Sequence, residues 1–227
     1  MRADRLRINI SYRIASTQVL GPYRRGAVWV QGCPFACEGC MSPEMRGPGG
    51  KLLDCEELAD TLILSGGEGV TVSGGEPFAQ AGAIARVIGL VREEIDYGVI
   101  VYSGYTFEEL SERAGRDEEI ALLLGEIDVL IDGLYVAELD DGRPYRGSSN
   151  QRILPLTDRY DSVLDSYYNE SRGRRTEISM GFDGCFTLTG VPSAEMLAAW
   201  ERMRVSGGLP VWRDGTRRRT LPSAQGG

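Results

Sequence analysis

The sequence contains no histidine. That absence removes Ser–His and Cys–His nucleophilic catalysis, and every zinc site that needs an imidazole ligand. It also lacks any run near the ~18 apolar residues of a membrane-spanning helix, so no membrane partner is expected. The first residues, Met1-Arg2-Ala3-Asp4-Arg5-Leu6-Arg7, have none of the apolar stretch of a signal peptide. A cytoplasmic location is therefore expected, where clustered cysteines serve metals or catalysis more often than disulfides. Positive charge is scarce too: 25 Lys and Arg stand against 33 Asp and Glu, a net charge of −8. Wholesale nucleic-acid binding does not fit that balance. Thiolates, carboxylates, Arg, Lys or a cofactor remain to carry any chemistry. The 227 residues, 42% of them hydrophobic, are enough for one large domain, alone or with a small appendage.

Three of the five cysteines fall within eight residues, Cys33, Cys37 and Cys40, spaced C-x3-C-x2-C. They follow Ala27-Val28-Trp29-Val30, an apolar run that reads as a buried strand. A cubane [4Fe–4S] cluster usually takes four protein thiolates. Three would leave one iron open, and an open position distinguishes a reactive metal site from a structural one. The alternative is a zinc knuckle with Cys55 or Cys185 as fourth ligand, but zinc sites usually pair two C-x2-C units, and one is present. Cys55 and Cys185 otherwise read as core cysteines, one at a helix start and one in a hairpin strand.

Along the chain, Ile8, Ile10, Tyr12 and Ile14 alternate with polar residues and predict a strand. Gly21-Pro22 marks a turn, and Arg24 and Arg25 read as solvated charge. Pro43 to Gly50 is irregular. A helix is expected over about Asp54–Leu64, with Leu58, Ala59, Leu62 and Ile63 inward. The strand Gly69–Ser73 then runs into Gly74-Gly75-Glu76-Pro77. The next helix spans about Phe78–Glu94, followed by the strand Val99–Tyr102 and the segment Ser103-Gly104-Tyr105. Thr106 and Glu109 form a capping box that opens another helix, and Ile127–Ile131 is a strand ending on Asp132-Gly133. Strands alternating with helices predict an α/β fold with a parallel sheet. In such sheets ligands gather at the C-terminal strand ends, where all these unusual segments lie. Ser65-Gly66-Gly67-Glu68 precedes its strand and belongs at the opposite end. Further on, Ile153-Leu154 is a candidate strand, Asp158–Glu170 a helix, Glu177–Met180 and Cys185–Thr189 a hairpin, and Ala194–Arg204 a helix. A flexible tail is expected from Gly207.

Each candidate site has a structural alternative. The glycines of Gly74-Gly75-Glu76-Pro77 let a ligand approach the backbone, and the N–H groups of the following helix start are available to it; a plain tight turn is the alternative. Asp132 reads either as an anchor for an ammonium or cation, or as a turn carboxylate. Arg146, Ser148, Ser149 and Asn150 form a donor-rich cluster suited to a carboxylate, or a loop bonded to its own backbone.

These residues together resemble a known family. Cys33-x3-Cys37-x2-Cys40 followed by a strand ending in Gly74-Gly75-Glu76-Pro77 is similar to the radical S-adenosylmethionine enzymes. More narrowly, Gly21-Pro22, Val30–Cys33, Gly39-Cys40, Ser73–Pro77, Ser103–Tyr105, Asp128–Gly133 and Arg146–Gln151 occur in the order found in activating proteins of anaerobic (class III) ribonucleoside-triphosphate reductases. The resemblance implies an incomplete (β/α) barrel with outer helices, a radical domain over 1–192 with its core at 20–155, and a C-terminal helix and tail over 193–227. It implies a [4Fe–4S] cluster on Cys33, Cys37 and Cys40, whose open iron chelates the amino and carboxylate groups of S-adenosylmethionine. Gly74, Gly75 and Glu76 would hold the amino group, with Pro77 beside them, and Gly39 to Met41 would line the adenosyl part. Ser103, Asp132, Arg146, Ser148 and Asn150 complete the expected cofactor site. One electron from a donor such as flavodoxin or ferredoxin would yield a 5′-deoxyadenosyl radical, which in activases takes hydrogen from a glycine of a partner enzyme. Met41 stands where this family usually has an aromatic residue, Met45 where tryptophan is common, and the chain runs roughly 70 residues past Gln151, of which Glu177 to Pro192 resembles the hairpin ending of some longer relatives and the part from Ser193 resembles nothing in the family. Those departures leave a small-molecule substrate open as an alternative, and a non-catalytic iron–sulfur or zinc module as a third.

Overall fold

A computed structural model describes residues 6–169, 173–180 and 186–206. The order is β1 (Arg7–Thr17), β2 (Arg25–Val30), β3 (Lys51–Asp54), α1 (Cys55–Ser65), β4 (Gly69–Gly74), α2 (Ala81–Glu94), β5 (Gly98–Tyr102), α3 (Phe107–Ala114), α4 (Glu118–Glu126), β6 (Val129–Asp132), β7 (Arg152–Pro155), α5 (Asp161–Asn169), β8 (Thr176–Met180), β9 (Phe186–Gly190) and α6 (Ala194–Ser206). Seven strands form one sheet in the order β3-β1-β2-β4-β5-β6-β7. Its centre, β2-β4-β5-β6, is parallel. The outer strands β1, β3 and β7 run antiparallel to their neighbours, so the sheet is mixed rather than wholly parallel. β8 and β9 pair separately, antiparallel.

The short central strands are apolar almost throughout because both faces are covered. Val28, Val30, Val70, Val72, Val99, Val101 and Leu130 face one way and pack with Leu58, Leu62, Ile84, Ile88 and Leu123 of α1, α2 and α4. α2 alone buries Ile84, Val87, Ile88 and Val91, each worth roughly 1.5–3 kcal/mol. The alternate residues point to the opposite face. Ile100, Val129 and Ile131 meet Tyr160 and Leu164 there, while Trp29, Ser73 and Tyr102 line a cavity. The period-2 geometry of a strand thus divides each parallel strand into a helix-packing set and a site-facing set.

Several expectations need correction. Lys51–Asp54 adds to β1 as an edge strand, although nothing in that short stretch signals it. The helix after Thr106 carries the expected capping box, but it ends at Ala114. A new helix, α4, starts after Asp117, whose carboxylate accepts from the N–H groups of Glu119 and Ile120. Cys185 and the residues from 207 lie outside the described residues.

Arg25 is not solvated; it is fully buried. It donates to the carbonyl of Pro22 (2.8 Å) and the hydroxyl of Tyr160 (3.1 Å), and stands 3.7 Å from Glu68. Glu68 also accepts from Tyr160 (2.8 Å) and pairs with Arg159 (3.0 Å). This network closes the N-terminal end of the sheet. Removing one member of such a pair strands the other in a poorly hydrated place. Arg25→Ala should therefore lower unfolding free energy by about 3 kcal/mol, read as a drop in the urea midpoint with the slope unchanged.

Candidate cluster and cofactor site

The site starts where β2 ends. Gln31 donates its side-chain amide to the carbonyls of Glu44 (3.1 Å) and Gly47 (2.8 Å). Gln80 donates to the carbonyls of Asn9 and Gln31 (both 2.9 Å) and accepts from Asn9 N–H (2.7 Å). Two glutamines thereby fix both ends of the loop that follows. Gly32 takes a positive φ of 97°, and its N–H bonds the carbonyl of Met45 (2.8 Å). The chain can then leave the sheet and present its cysteines.

Next to it, the N–H of Gly75 bonds the carbonyl of Val30 and that of Glu76 bonds Gly32, both at 2.8 Å. There is no space for side chains in this seam. A Cβ on Gly74 would lie 2.4 Å from the Val30 nitrogen, and one on Gly75 would lie 2.1 Å from the Gly32 oxygen. Gly74 also has φ 109°, open mainly to glycine. The expected free N–H groups are not free. Those of Gly75 and Glu76 serve the seam, Phe78 N–H bonds the Glu76 carboxylate (3.0 Å), Ala79 N–H bonds the Glu76 carbonyl, and Pro77 has none. A ligand here meets carbonyls and a carboxylate instead.

That carboxylate is 1% exposed. It accepts from Phe78 N–H, Ser103 Oγ (2.9 Å) and Gly104 N–H (2.8 Å). Burial pushes Glu76 up to about 6, against the pull of those three donors. No cation pairs with it among the described residues.

Cys33, Cys37, Cys40, Gly74, Gly75, Glu76 and Ser103 all line one cavity of about 190 Å³, with Met41 at its edge. Burial raises the Cys33 thiol, and Glu76, Cys37 and Cys40 add to the rise while a backbone hydrogen bond at Phe35 opposes it. A metal would have to displace that proton. No group of three such side chains among the described residues is drawn tightly enough for a single metal ion. A cubane asks for something looser, since each thiolate sits on a different iron. The donor set fits a cluster: three thiols line one cavity, one short of the four that a cubane usually takes. Cys55 lies apart in the helix-side core, its thiol against the Ala83 carbonyl (3.6 Å).

The remaining candidates, Gly39, Pro77, Asp132, Arg146, Ser148 and Asn150, do not line this cavity and sit behind it. Gly39 takes φ 69° and abuts Ala137 and Tyr135. Pro77 is buried at the start of a 3-10 turn. Asp132 is fully buried but engaged elsewhere: it accepts from Phe107 N–H (2.7 Å) and pairs with Arg152. Arg146 pairs with Asp141 and donates to the Gln151 carbonyl. Ser148 Oγ accepts from Val136 N–H (3.1 Å), and Asn150 donates to the Leu134 carbonyl (2.8 Å). These bonds shape the loop from Gly133 to Gln151, which reaches the cavity through Gly133, Tyr135, Gly147 and Gln151. Trp29, Phe35, Tyr102 and Tyr135 went unnoticed as site residues. For Trp29 and Tyr102 the signal existed: each alternates with valines committed to the helix side.

Residues 19–154 match the family described as 4Fe-4S single cluster domain. The chain belongs to this family. It is also similar to proteins named anaerobic ribonucleoside-triphosphate reductase-activating protein. That of Vibrio cholerae is 32% identical over 149 residues, 61% of this chain and 92% of the relative. That of Enterobacteria phage T4 is 31% identical over 147 residues, 62% and 89%. That of Escherichia coli K12 is 31% identical over 150 residues, 61% and 92%. The family match covers the cysteine loop, the Gly74–Pro77 turn and the loop to Gln151, and ends before α5.

The seam makes a direct prediction. Gly75→Ala must push Val30–Gly32 and the turn apart. Iron and sulfide bound after anaerobic reconstitution should fall severalfold, with unfolding free energy lower by about 2 kcal/mol or more.

Proposed function

We propose that this chain is a radical S-adenosylmethionine activase that generates a glycyl radical on an anaerobic ribonucleotide reductase. The observation that carries this reading is one cavity holding three thiols and a buried carboxylate that no Lys or Arg among the described residues pairs with directly, Arg113 acting on it only from farther off. Cys33, Cys37 and Cys40 would hold the cluster, in the hollow of a sheet read as an incomplete barrel. Bound there, a [4Fe–4S] cluster supplies the single electron that splits the sulfonium carbon–sulfur bond of S-adenosylmethionine into methionine and a 5′-deoxyadenosyl radical.

The chain's own residues bind and orient. Glu76 would accept the ligand's ammonium, with Ser103 Oγ and Gly104 N–H keeping its oxygens aimed. Gly74 and Gly75 let the Glu76 turn close against Val30–Gly32, which sets the carboxylate beside the cysteine loop. Met41 and Tyr135 would border the adenosyl part, and the aromatic walls limit water around a reactive radical. Hydrogen-atom transfer from a partner glycine yields 5′-deoxyadenosine and the glycyl radical, with no protein base needed; this suits a chain without histidine. The relatives' shared name supports a class III reductase as partner, and reduced flavodoxin or ferredoxin is the proposed donor.

The test is anaerobic. Reconstituted protein given reductant and S-adenosylmethionine should release 5′-deoxyadenosine, and Cys37→Ala should release none above background. With the purified reductase present, a glycyl radical should appear in its electron paramagnetic resonance spectrum. Reconstituted iron and sulfide without S-adenosylmethionine cleavage, alone or with the reductase, would sink the reading. Glu76→Gln should keep its cluster yet bind S-adenosylmethionine about tenfold or more weakly, the scale of losing one buried charge-assisted contact.

A further inference from the structure

A second cavity of about 390 Å³ adjoins the first. The two share Trp29, Met41, Ser42 and Gly190. Its far wall comes from β9 and α6, through Phe186, Leu188, Leu197 and Trp200. All four lie beyond residue 154, where the family match ends. This wall lies outside the residues that match the family.

The wall is held in place by polar contacts to the sheet. Tyr12 and Thr187 hydroxyls meet at 2.9 Å, and Glu177 accepts from Thr17 Oγ1 (2.7 Å) and Gln18 N–H (3.0 Å). Arg174 donates to the carbonyls of Arg146 (2.9 Å) and Gly147 (2.8 Å) and pairs with Asp140 (2.7 Å). Gly147 itself lines the cluster cavity, so the added segment and the site are tied together.

Three features describe the occupant. The lining is aromatic and aliphatic, with scattered hydroxyls. Its charged members among the described residues are Glu44 and Glu201, both acidic, which disfavours phosphates and other anions. Finally, β9 pairs with β8 alone among the described residues, leaving one strand edge without a ladder partner. Such an edge accepts an added strand through main-chain hydrogen bonds, while pockets receive alternate side chains. The strand also points the right way. Phe186 and Leu188 line the second cavity, and Gly190 with Val191 lines the cluster cavity.

We propose that the second cavity receives an extended peptide of the partner enzyme, laid along β9 with an apolar side chain between Leu188 and Trp200, so that its glycine enters the cluster cavity. This rests on the reading of the chain as an activase.

The test uses the full-length reconstituted chain with Leu188→Asp or Trp200→Ala; the second, on a half-exposed helix position, serves where the first does not fold. Both should cleave S-adenosylmethionine without partner at the wild-type rate, which checks the activase chemistry separately. Glycyl radical formation on the purified class III reductase should fall about tenfold, the size of losing one packed anchor. Independently of activity, a photocrosslinker replacing Leu197 should capture a synthetic peptide spanning the reductase's radical glycine, at residues flanking that glycine. Wild-type reductase activation by both variants, or crosslinks absent or mapping elsewhere, would overturn the proposal and return the cavity to a small-molecule ligand.

Discussion

Two backbone hydrogen bonds, Gly75 N–H to Val30 and Glu76 N–H to Gly32, decide where everything else in the site can be. They continue the β2–β4 pairing one step past the sheet, at the point where both strands leave it. The cysteine loop departs from one side of this seam and the Glu76 turn from the other. Because the seam has no room for a Cβ at Gly74 or Gly75, the two segments approach more closely than side chains would permit. A cysteine loop and a buried acidic turn, some forty residues apart in sequence, become walls of one cavity. Neither segment could hold that geometry alone, since three thiols on an irregular loop have no rigid support of their own.

The two ends of the sheet make opposite use of buried charge. At the N-terminal end, Glu68 is met by Arg25, Arg159 and Tyr160, and the charge is neutralised within the fold. At the C-terminal end, Glu76 receives three hydrogen bonds but no directly paired cation among the described residues, and burial lifts it to about 6 against those bonds and the more distant Arg113. A group whose folded value is raised disfavours folding progressively as pH climbs from its ordinary value through that raised one. The fold therefore tolerates a small penalty at neutral pH in the place where a cationic ligand group would remove it. Two Gly-Gly-Glu segments, only eight residues apart, thus differ in role because one enters its strand and the other leaves it.

That positional distinction was legible in the sequence, as were the cysteine loop, the parallel strands and the Thr106 capping box, because each rests on local spacing or period. The rest was hidden for identifiable reasons. Arg25 looked like solvent-facing charge because its partners, Glu68 and Tyr160, are 43 and 135 residues away. Asp132 sits at the expected strand end, yet its partner Arg152 comes from an antiparallel strand whose sequence says little about pairing. The N–H groups after Gly74 looked available because local pattern cannot reveal that the neighbouring strand's carbonyls will take them. Gln31 and Gln80 are silent in any periodicity count, though they clamp the loop between them.

The added segment after residue 155 changes how substitutions at the shared core should be read. Met41 and Met45 both border the second cavity. An aromatic ring at Met41 would crowd Gly147 and Tyr135, since the Met41 methyl already lies 2.8 Å from where a Cβ on Gly147 would stand. Thioether side chains are unbranched and adaptable, and fill irregular gaps where a ring would not. Trp200 and Phe186 face these methionines across the second cavity. The cysteine loop and its seam thus wall one side of this joined space, and β9 with α6 walls the other.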